Sequence, residues 1–206
     1  VAGTHMLEKC CHDLDIANWL TGSVPRRAAS FGGLAFFTPA NQFMEDRLGV
    51  NDEGRPAYRV WPDPHGISPF NDDKDIVDHQ VAILEYRNGI KATFHTNCHA
   101  GLPERRVYIC GTDGSIRGDV LTAEIELRKV GFNQDVVREI IGQGDGHAGA
   151  DGPMHACLAS SILNGSAPSA GLIEGLQSSL AAFAIDEALD KGCVIDTLEM
   201  SRELGI

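Results

Sequence analysis

The feature that most constrains the fold is an Asn88-Gly89 pair between two segments of alternating character. An Asn-Gly pair readily adopts the positive φ angles of a tight two-residue turn, so it predicts a β-hairpin between residues 78–86 and residues 90–99. Successive side chains of a strand point to opposite faces. On the first strand we therefore expect Val81, Ile83 and Glu85 on one face and Ala82, Leu84 and Tyr86 on the other.

More strands follow the hairpin at short intervals that are marked by turn residues. Thr112-Asp113-Gly114 provides another tight connection. Consecutive strands joined by short turns pair antiparallel, so the middle of the chain predicts a largely antiparallel sheet. The predicted strands cover residues 106–110, 115–120, 123–130 and 135–141.

Helical patterns flank this run of strands. Apolar residues recur at helical spacing over residues 12–20, 151–163 and 170–189, and Phe183 in the last stretch is expected to be buried. Helices gathered at both ends of antiparallel strands predict an α+β fold, with helices packed on one face of an open sheet. The other face would be bare, and a bare apolar face is typically an interface, so we expect a homodimer or tetramer.

A long segment before the hairpin, residues 38–75, is rich in Pro, Gly, Asn and Asp. A connection of this length in a compact domain is usually functional, or it wraps around another part of the molecule. Residues 1–6 look like a remnant of an expression vector, and we exclude them from the fold. A single domain is then expected over residues 7–206.

Composition excludes several classes of protein. The 206 residues are 43% hydrophobic and 22% charged, which suits one ordinary globular domain. The net charge of -12 argues against a nucleic-acid partner, because phosphate binding relies on clustered Lys and Arg. No apolar stretch reaches the roughly 20 residues of a membrane span. The cysteines form no CxxC motif and suit a reducing compartment, so we expect a cytoplasmic protein.

A candidate acid–base cluster lies near the start of the chain. Glu8, His12 and Asp15 are spaced i, i+4 and i+7, which places them on one face of a helix. His12 is the first candidate for proton transfer, since an imidazole titrates near neutrality. Asp15 would orient that imidazole or contact a substrate hydroxyl. The structural alternatives are a histidine that a neighbouring carboxylate satisfies and a plain surface charge at Asp15. A functional run this close to the first residue indicates part of a larger enzyme.

Two kinds of site are not expected in this chain. No strand leads into a Gly-x-Gly-x-x-Gly turn and a helix, so no dinucleotide-binding Rossmann unit and no cofactor-binding residue are predicted. A metal site is not predicted either. His95 and His99 are four residues apart, about 13 Å along a strand, which is too far for one ion with ligand bonds of about 2 Å.

Several motifs, in this order, resemble those of the Gfo/Idh/MocA family of NAD(P)-dependent oxidoreductases. Glu8-x3-His12-x2-Asp15 is similar to the Asp-x3-His-x2-Asp segment on the helix that opens the family's second domain. Gly-His-Ala-Gly-Ala-Asp, residues 146–151, is similar to its Gly-His-Gly-Gly-Gly-Asp run before a helix. Residues 74–80, Asn88-Gly89 and residues 110–115 are similar to parts of the family's sheet. Residues 192–196 are similar to its closing strand.

This resemblance implies a role for the chain. Family members that act on sugars, inositols or related polyols join a Rossmann domain to a C-terminal α+β domain. The chain would be that second domain, which binds substrate and oligomerises. NAD or NADP would serve the full-length parent. No cofactor is expected to bind this fragment, which lacks the family's Glu-Lys-Pro motif with its catalytic lysine and should be inactive alone.

The resemblance also implies site residues. It assigns proton transfer to His12. Glu8 stands where the family has Asp, and its extra methylene would displace the carboxylate. His147 and Asp151 would contact the substrate, although Asp151 also precedes a helix as an N-cap residue would.

Two other functions stay open on the sequence. A stand-alone binding or scaffold protein of the same fold would have no Rossmann domain upstream. A relative that hydrolyses glycosides with tightly held NAD would show no net consumption of NAD(P).

Overall fold

The computed structural model describes residues 3–59, 67–141 and 149–204. Within these ranges the strands are β1 (Pro25–Gly33), β2 (His79–Tyr86), β3 (Lys91–Asn97), β4 (Arg106–Cys110), β5 (Gly114–Asp119), β6 (Glu124–Lys129), β7 (Val136–Ile140) and β8 (Ile195–Asp196). The helices are α1 (His5–Glu8), α2 (Cys11–Thr21), α3 (Phe43–Leu48), α4 (Asp151–Asn164), α5 (Leu172–Lys191) and α6 (Thr197–Leu204).

These elements form two compact units. Unit 1 comprises Val1–His99 and Ala170–Ile206, and unit 2 comprises Ala100–Ser169. Unit 1 contains a four-stranded sheet in the order β3-β2-β1-β8, and unit 2 contains one in the order β4-β5-β6-β7. Both sheets are antiparallel, which confirms the predicted α+β class. The predicted run of strands therefore divides between two sheets, with β3 in the first and β4 in the second.

The hairpin at the centre of unit 1 is confirmed, but its turn is longer than the two-residue turn expected. Gly89 N–H donates to the carbonyl of Tyr86 at 2.9 Å, and of Asn88 and Gly89 only Gly89 has a positive φ. Tyr86 N–H donates to the carbonyl of Ile90 at 2.8 Å, and Gly89 has φ +88°, which a side chain would disfavour. The alternation of β2 is also as predicted. Ala82, Leu84 and Tyr86 are buried, whereas Val81 and Ile83 lie on the opposite, open face.

The core of unit 1 lies between one face of its sheet and the helices α1, α2 and α5. Helix α5 crosses β1 and packs against α2. Its contact surface consists largely of alanines, which let the helix approach the sheet closely. The core cluster comprises Met6, Cys10, Leu14, Ala28, Ala82, Leu84, Tyr86, Ala181, Ala182, Ala184 and Ile185.

The expectation that Phe183 is buried was wrong. Its exposed fraction is 43%, whereas Ala184 and Ile185 beside it are fully buried. The inner stripe of α5 is made of small residues, so the large ring points away from the sheet. Exclusion of residues 1–6 from the fold was also wrong in part. Thr4 caps α1, and Met6 is fully buried in the core cluster.

The sheet of unit 2 has one charged face and one apolar face. Arg106 pairs with Asp119 across β4 and β5, and Glu126 on β6 bridges Arg117 and Arg138. These arginines are solvent-exposed, so each pair contributes at most about 1 kcal/mol to stability. The other face carries Val107, Ile109, Ile116, Ile125, Leu127 and Val137.

The segment predicted as a long loop contains local structure. A 3-10 turn at Pro39–Asn41 precedes α3, and Glu45 on α3 accepts hydrogen bonds from Arg59 (3.2 Å) and Ser68 (3.1 Å). Five rings then join this segment to the end of the sheet, with neighbouring centroids 4.1 to 6.3 Å apart. This aromatic cluster comprises Phe36, Phe37, Tyr58, Phe70 and His99.

Candidate functional site

His12 lies in the first turn of α2 with an exposed side chain. Its Nδ1 is 3.5 Å from Sγ of Cys11. Glu8 is the last residue of α1 and is also exposed, but its Oε1 accepts a hydrogen bond from the N–H of Gly3 at 2.8 Å. Asp15 lies one turn beyond His12 on α2 and is half-buried. The imidazole is therefore the group of the predicted cluster that a substrate reaches most readily.

The predicted continuous helix through Glu8, His12 and Asp15 was wrong, because α1 ends at Glu8 and α2 begins at Cys11. Cys10 between the helices is buried, and its backbone has ψ −5°, away from helical values. An inner stripe of buried residues nevertheless continues through both helices. Met6, Cys10 and Leu14 are spaced four residues apart and all face the core. The candidates Glu8, His12 and Asp15 therefore still lie on the outer side of the two helices.

The inner side of this helix pair contacts the end of β3. Nε2 of His5 is 3.0 Å from Oγ1 of Thr96, and Sγ of Cys98 is 3.8 Å from the same ring. Burial lowers the pKa of His5, and the nearby Lys9 lowers it further. Burial raises the pKa of Cys10 to about 11, so this thiol is protonated at neutral pH. These groups hold the helices in place and are not arranged as reactive nucleophiles.

A buried carboxylate organises the same end of the sheet. Asp78, just before β2, accepts hydrogen bonds from the backbone N–H groups of Ala35, Phe36 and Phe37. His79 donates from Nδ1 to Oδ1 of Asp78 at 2.8 Å. Burial alone would raise the pKa of Asp78, but the bonds from His79 and from the three backbone groups outweigh it and lower the pKa to about 2. The carboxylate is therefore ionised and fixes the start of the 38–75 segment.

Of the two residues predicted for substrate binding, only Asp151 lies among the described residues. His147 lies outside the described residues. Asp151 is the first residue of α4, and Ala150 is its N-cap without a side-chain cap bond, so the N-cap assignment was wrong. A carboxylate in the first turn is still favoured there by the helix dipole.

Sequence reasoning missed Asp78, His79 and His5. His5 belonged to the excluded residues 1–6. The only signal for Asp78 and His79 was their place at the start of an alternating strand. The backbone donors that Asp78 binds are more than forty residues away in sequence, and local patterns do not reveal them.

Two other features are absent from the described residues. No group of three or more His, Cys, Asp or Glu side chains in that part of the chain could hold a metal ion. None of the helices described there is long and apolar enough to cross a bilayer. The six cysteines are free thiols.

A comparison with known families identifies the class of protein. Residues 1–193 match the profile of the Gfo/Idh/MocA oxidoreductases that is described as "Oxidoreductase family, C-terminal alpha/beta domain". The chain therefore belongs to the Gfo/Idh/MocA oxidoreductase family and carries its C-terminal α/β domain. No curated protein sequence matches the chain.

Solved structures share the fold. Levoglucosan dehydrogenase, in complex with NADH and levoglucosan, matches with a TM-score of 0.70 and 16% identity over 96% of this chain and 52% of its own. UDP-N-acetylglucosamine 3-dehydrogenase GnnA from Acidithiobacillus ferrooxidans matches with a TM-score of 0.62 and 17% identity, over 90% of this chain and 47% of its own. An oxidoreductase domain protein from Kribbella flavida matches with a TM-score of 0.69 and 15% identity, over 95% of this chain and 51% of its own. This chain thus spans about half the length of these structures.

The family implies a nicotinamide cofactor, and the described residues do not fit one. A dinucleotide site needs parallel strands joined by a helix whose N-terminus faces the pyrophosphate. Both described sheets are antiparallel. The parallel unit that such a site needs is therefore not among the described residues.

Proposed function

We propose that this chain is the substrate-binding and oligomerising domain of an NAD(P)-dependent oxidoreductase that acts on a sugar, an inositol or a related polyol. The observation that carries the proposal is the exposed imidazole of His12, in a domain of this oxidoreductase family, on a helix anchored to the sheet from its inner side. The solved relatives support the substrate class, since their names include levoglucosan and a UDP-sugar.

His12 would accept the hydroxyl proton while hydride leaves the same carbon for the nicotinamide. An imidazole suits this task because its usual pKa lies close to working pH. Asp15, one turn further along α2, would contact the substrate or orient the ring. Glu8 would contribute less, since its carboxylate already caps the N–H of Gly3. His147 and Asp151 stay proposed substrate contacts.

The cofactor would be held by a Rossmann domain in the remaining half of a longer parent protein, and this chain alone would not turn over. The lengths of the solved relatives support this arrangement. We also propose a cytoplasmic location, which the free thiols support.

The open face of the unit 1 sheet would join two or more copies. Phe31 on this face has an exposed fraction of 77%, and it lies in register with Val81 and His95. Ile83 continues the apolar surface beside Ala29. One end of the same face is polar, because Arg27 and Lys91 pair there with Glu85. The exposed apolar patch beside it is unfavourable in water, and such a patch is typically covered by a partner.

The catalytic part is tested by kinetics of the longer protein with NAD⁺ or NADP⁺ and a panel of polyols. His12→Ala should lower kcat by roughly 10²–10⁴-fold if the imidazole transfers the proton. His155→Ala, an exposed histidine on α4, is the control and should keep normal turnover. Normal kcat in His12→Ala would exclude His12 from the mechanism.

The oligomerising part is tested by sedimentation of the chain itself. Phe31→Asp places a charge in the proposed interface and should weaken association at least roughly 30-fold. Phe132→Asp, at a residue of unit 2 with 97% exposure, is the matched control. A monomeric wild-type chain, or equal association of both variants, would contradict an interface at this face.

A further inference from the structure

We propose that Asp186 is a positioning residue, which fixes the first turn of α2, and His12 with it, through a hydrogen-bonded connection to α1. This inference rests on the function proposed for His12. It concerns a carboxylate on α5 that neither the sequence motifs nor the proposed chemistry uses.

The two oxygens of Asp186 bind two different parts of unit 1. Oδ2 accepts a hydrogen bond from Oγ1 of Thr4, at the start of α1. Oδ1 accepts one from Nε2 of Gln80 on β2 at 3.2 Å. Gln80 is fully buried and also donates to Oγ of Ser30 on β1 at 3.1 Å. One carboxylate thus ties α1 to α5 and to the two central strands.

Thr4 transmits this tie to α1 because its hydroxyl has two partners. The oxygen accepts the N–H of Leu7 at 3.2 Å as the N-cap of the helix, while the hydrogen is donated to Asp186. The carboxylate therefore sets the orientation of the cap. Helix α1 has only four residues and is too short to persist by itself, so such anchors decide where it lies.

Backbone hydrogen bonds then connect α1 to the turn that carries His12. Cys10 N–H donates to the carbonyl of Met6 at 3.1 Å, and Leu14 N–H donates to the carbonyl of Cys10 at 3.0 Å. A displacement of α1 would consequently move the first turn of α2. Catalytic proton transfer is sensitive to displacements of about 1 Å, so loosening this connection should reduce turnover.

The test uses substitutions that change polarity and preserve shape. Asp186→Asn places an amide N–H₂ against one of its two donors, Thr4 or Gln80. Thr4→Val removes the hydroxyl at an exposed position, so the buried core is not altered. Thr4→Ser keeps the hydroxyl and is the rescue variant. Asp190→Asn is the matched control, since Asp190 is exposed one turn further along α5.

The first readout is NMR of this chain. In Asp186→Asn and Thr4→Val, the amides from Glu8 to Cys10 should exchange about ten- to a hundredfold faster, and the ring signals of His12 should shift. Thr4→Ser and Asp190→Asn should resemble the wild type. Unchanged exchange and ring signals in both test variants would overturn the inference, whatever the reaction.

The second readout is kinetics of the longer protein. Asp186→Asn and Thr4→Val should lower kcat about tenfold with KM unchanged, and Thr4→Ser should restore it. A loss of stability would also lower the apparent kcat at unchanged KM, so the folded fraction of each variant is measured by urea unfolding at the assay temperature. The tenfold loss should persist per folded molecule, and a loss that disappears after this normalisation would overturn the positioning role. Normal kcat in both variants while His12→Ala is impaired would overturn the positioning role alone. Normal kcat in His12→Ala would overturn the catalytic role proposed for His12, on which this inference rests.

Discussion

Replacing Asp78 by Asn should destabilise unit 1 and remove part of its acid sensitivity. The carboxylate is 3% exposed, and it accepts the N–H groups of Ala35, Phe36 and Phe37 as well as Nδ1–H of His79. An Asn side chain has the same shape, but it keeps one acceptor oxygen and turns an N–H₂ group towards donors. The variant therefore loses the charge and at least one hydrogen bond without creating a cavity.

The magnitude follows from the pKa. Folding lowers the pKa of Asp78 from 3.8 to about 2. Each pKa unit corresponds to about 1.4 kcal/mol, so the ionised carboxylate contributes on the order of 2 kcal/mol at neutral pH. Because the folded-state pKa lies below the unfolded-state value, this contribution is present above pH 3.8 and is lost as the pH falls towards about 2.

The assay is urea unfolding of the wild type and Asp78→Asn over a series of pH values. The difference in unfolding free energy should be about 2 kcal/mol at neutral pH and should shrink progressively below about pH 4. Asp73→Asn, at an exposed position of the same segment, is the control and should differ little from the wild type. A difference that stays constant down to the lowest pH, or no difference at neutral pH, would refute the role assigned to ionised Asp78.

Three further stability predictions follow from the packing. Phe70→Ala should cost about 3–5 kcal/mol in unfolding free energy, because the ring is fully buried in the aromatic cluster; a loss below about 1 kcal/mol would show that this cluster does not anchor the segment. On α5, Ile185→Ala should cost about 2–5 kcal/mol and Phe183→Ala clearly less, since Ile185 is fully buried and Phe183 is half-exposed; the reverse order in thermal unfolding would contradict the observed helix face. Gly175→Ala should stabilise the chain by up to about 1 kcal/mol, because a Cβ there meets no atom within 4 Å, whereas Gly32→Ala should destabilise it, because its Cβ would lie 2.5 Å from the carbonyl oxygen of His79.

Local signals in the sequence predicted the strands and helices well. The hairpin followed from Asn88-Gly89, and the two faces of β2 followed from the rule that successive side chains of a strand point to opposite sides. The boundaries of β4 coincide with the prediction, and those of α4 are within one residue of it. These features depend on residues close together in the chain.

Features that depend on distant contacts could not be predicted in this way. The helix is interrupted at Cys10, whose side chain packs in the core cluster, although the sequence alone suggests one helix. The inner stripe of α5 is made of alanines, which carry little signal beside the larger Phe183. Asp186 and Asp78 bind partners from other elements, and nothing near them in sequence indicates those partners. The candidate His12 was found because its motif is local.

We propose that this chain supplies the substrate side of a nicotinamide-dependent oxidation. The most direct measurement is the formation of reduced nicotinamide from NAD⁺ or NADP⁺ by the longer protein and by this chain, each with the same polyol panel, with nucleotide binding followed by calorimetry. We expect turnover by the longer protein, and neither nucleotide binding nor turnover by this chain. Micromolar nucleotide binding to this chain, or a longer protein that reduces neither nucleotide with any polyol, would contradict the proposal.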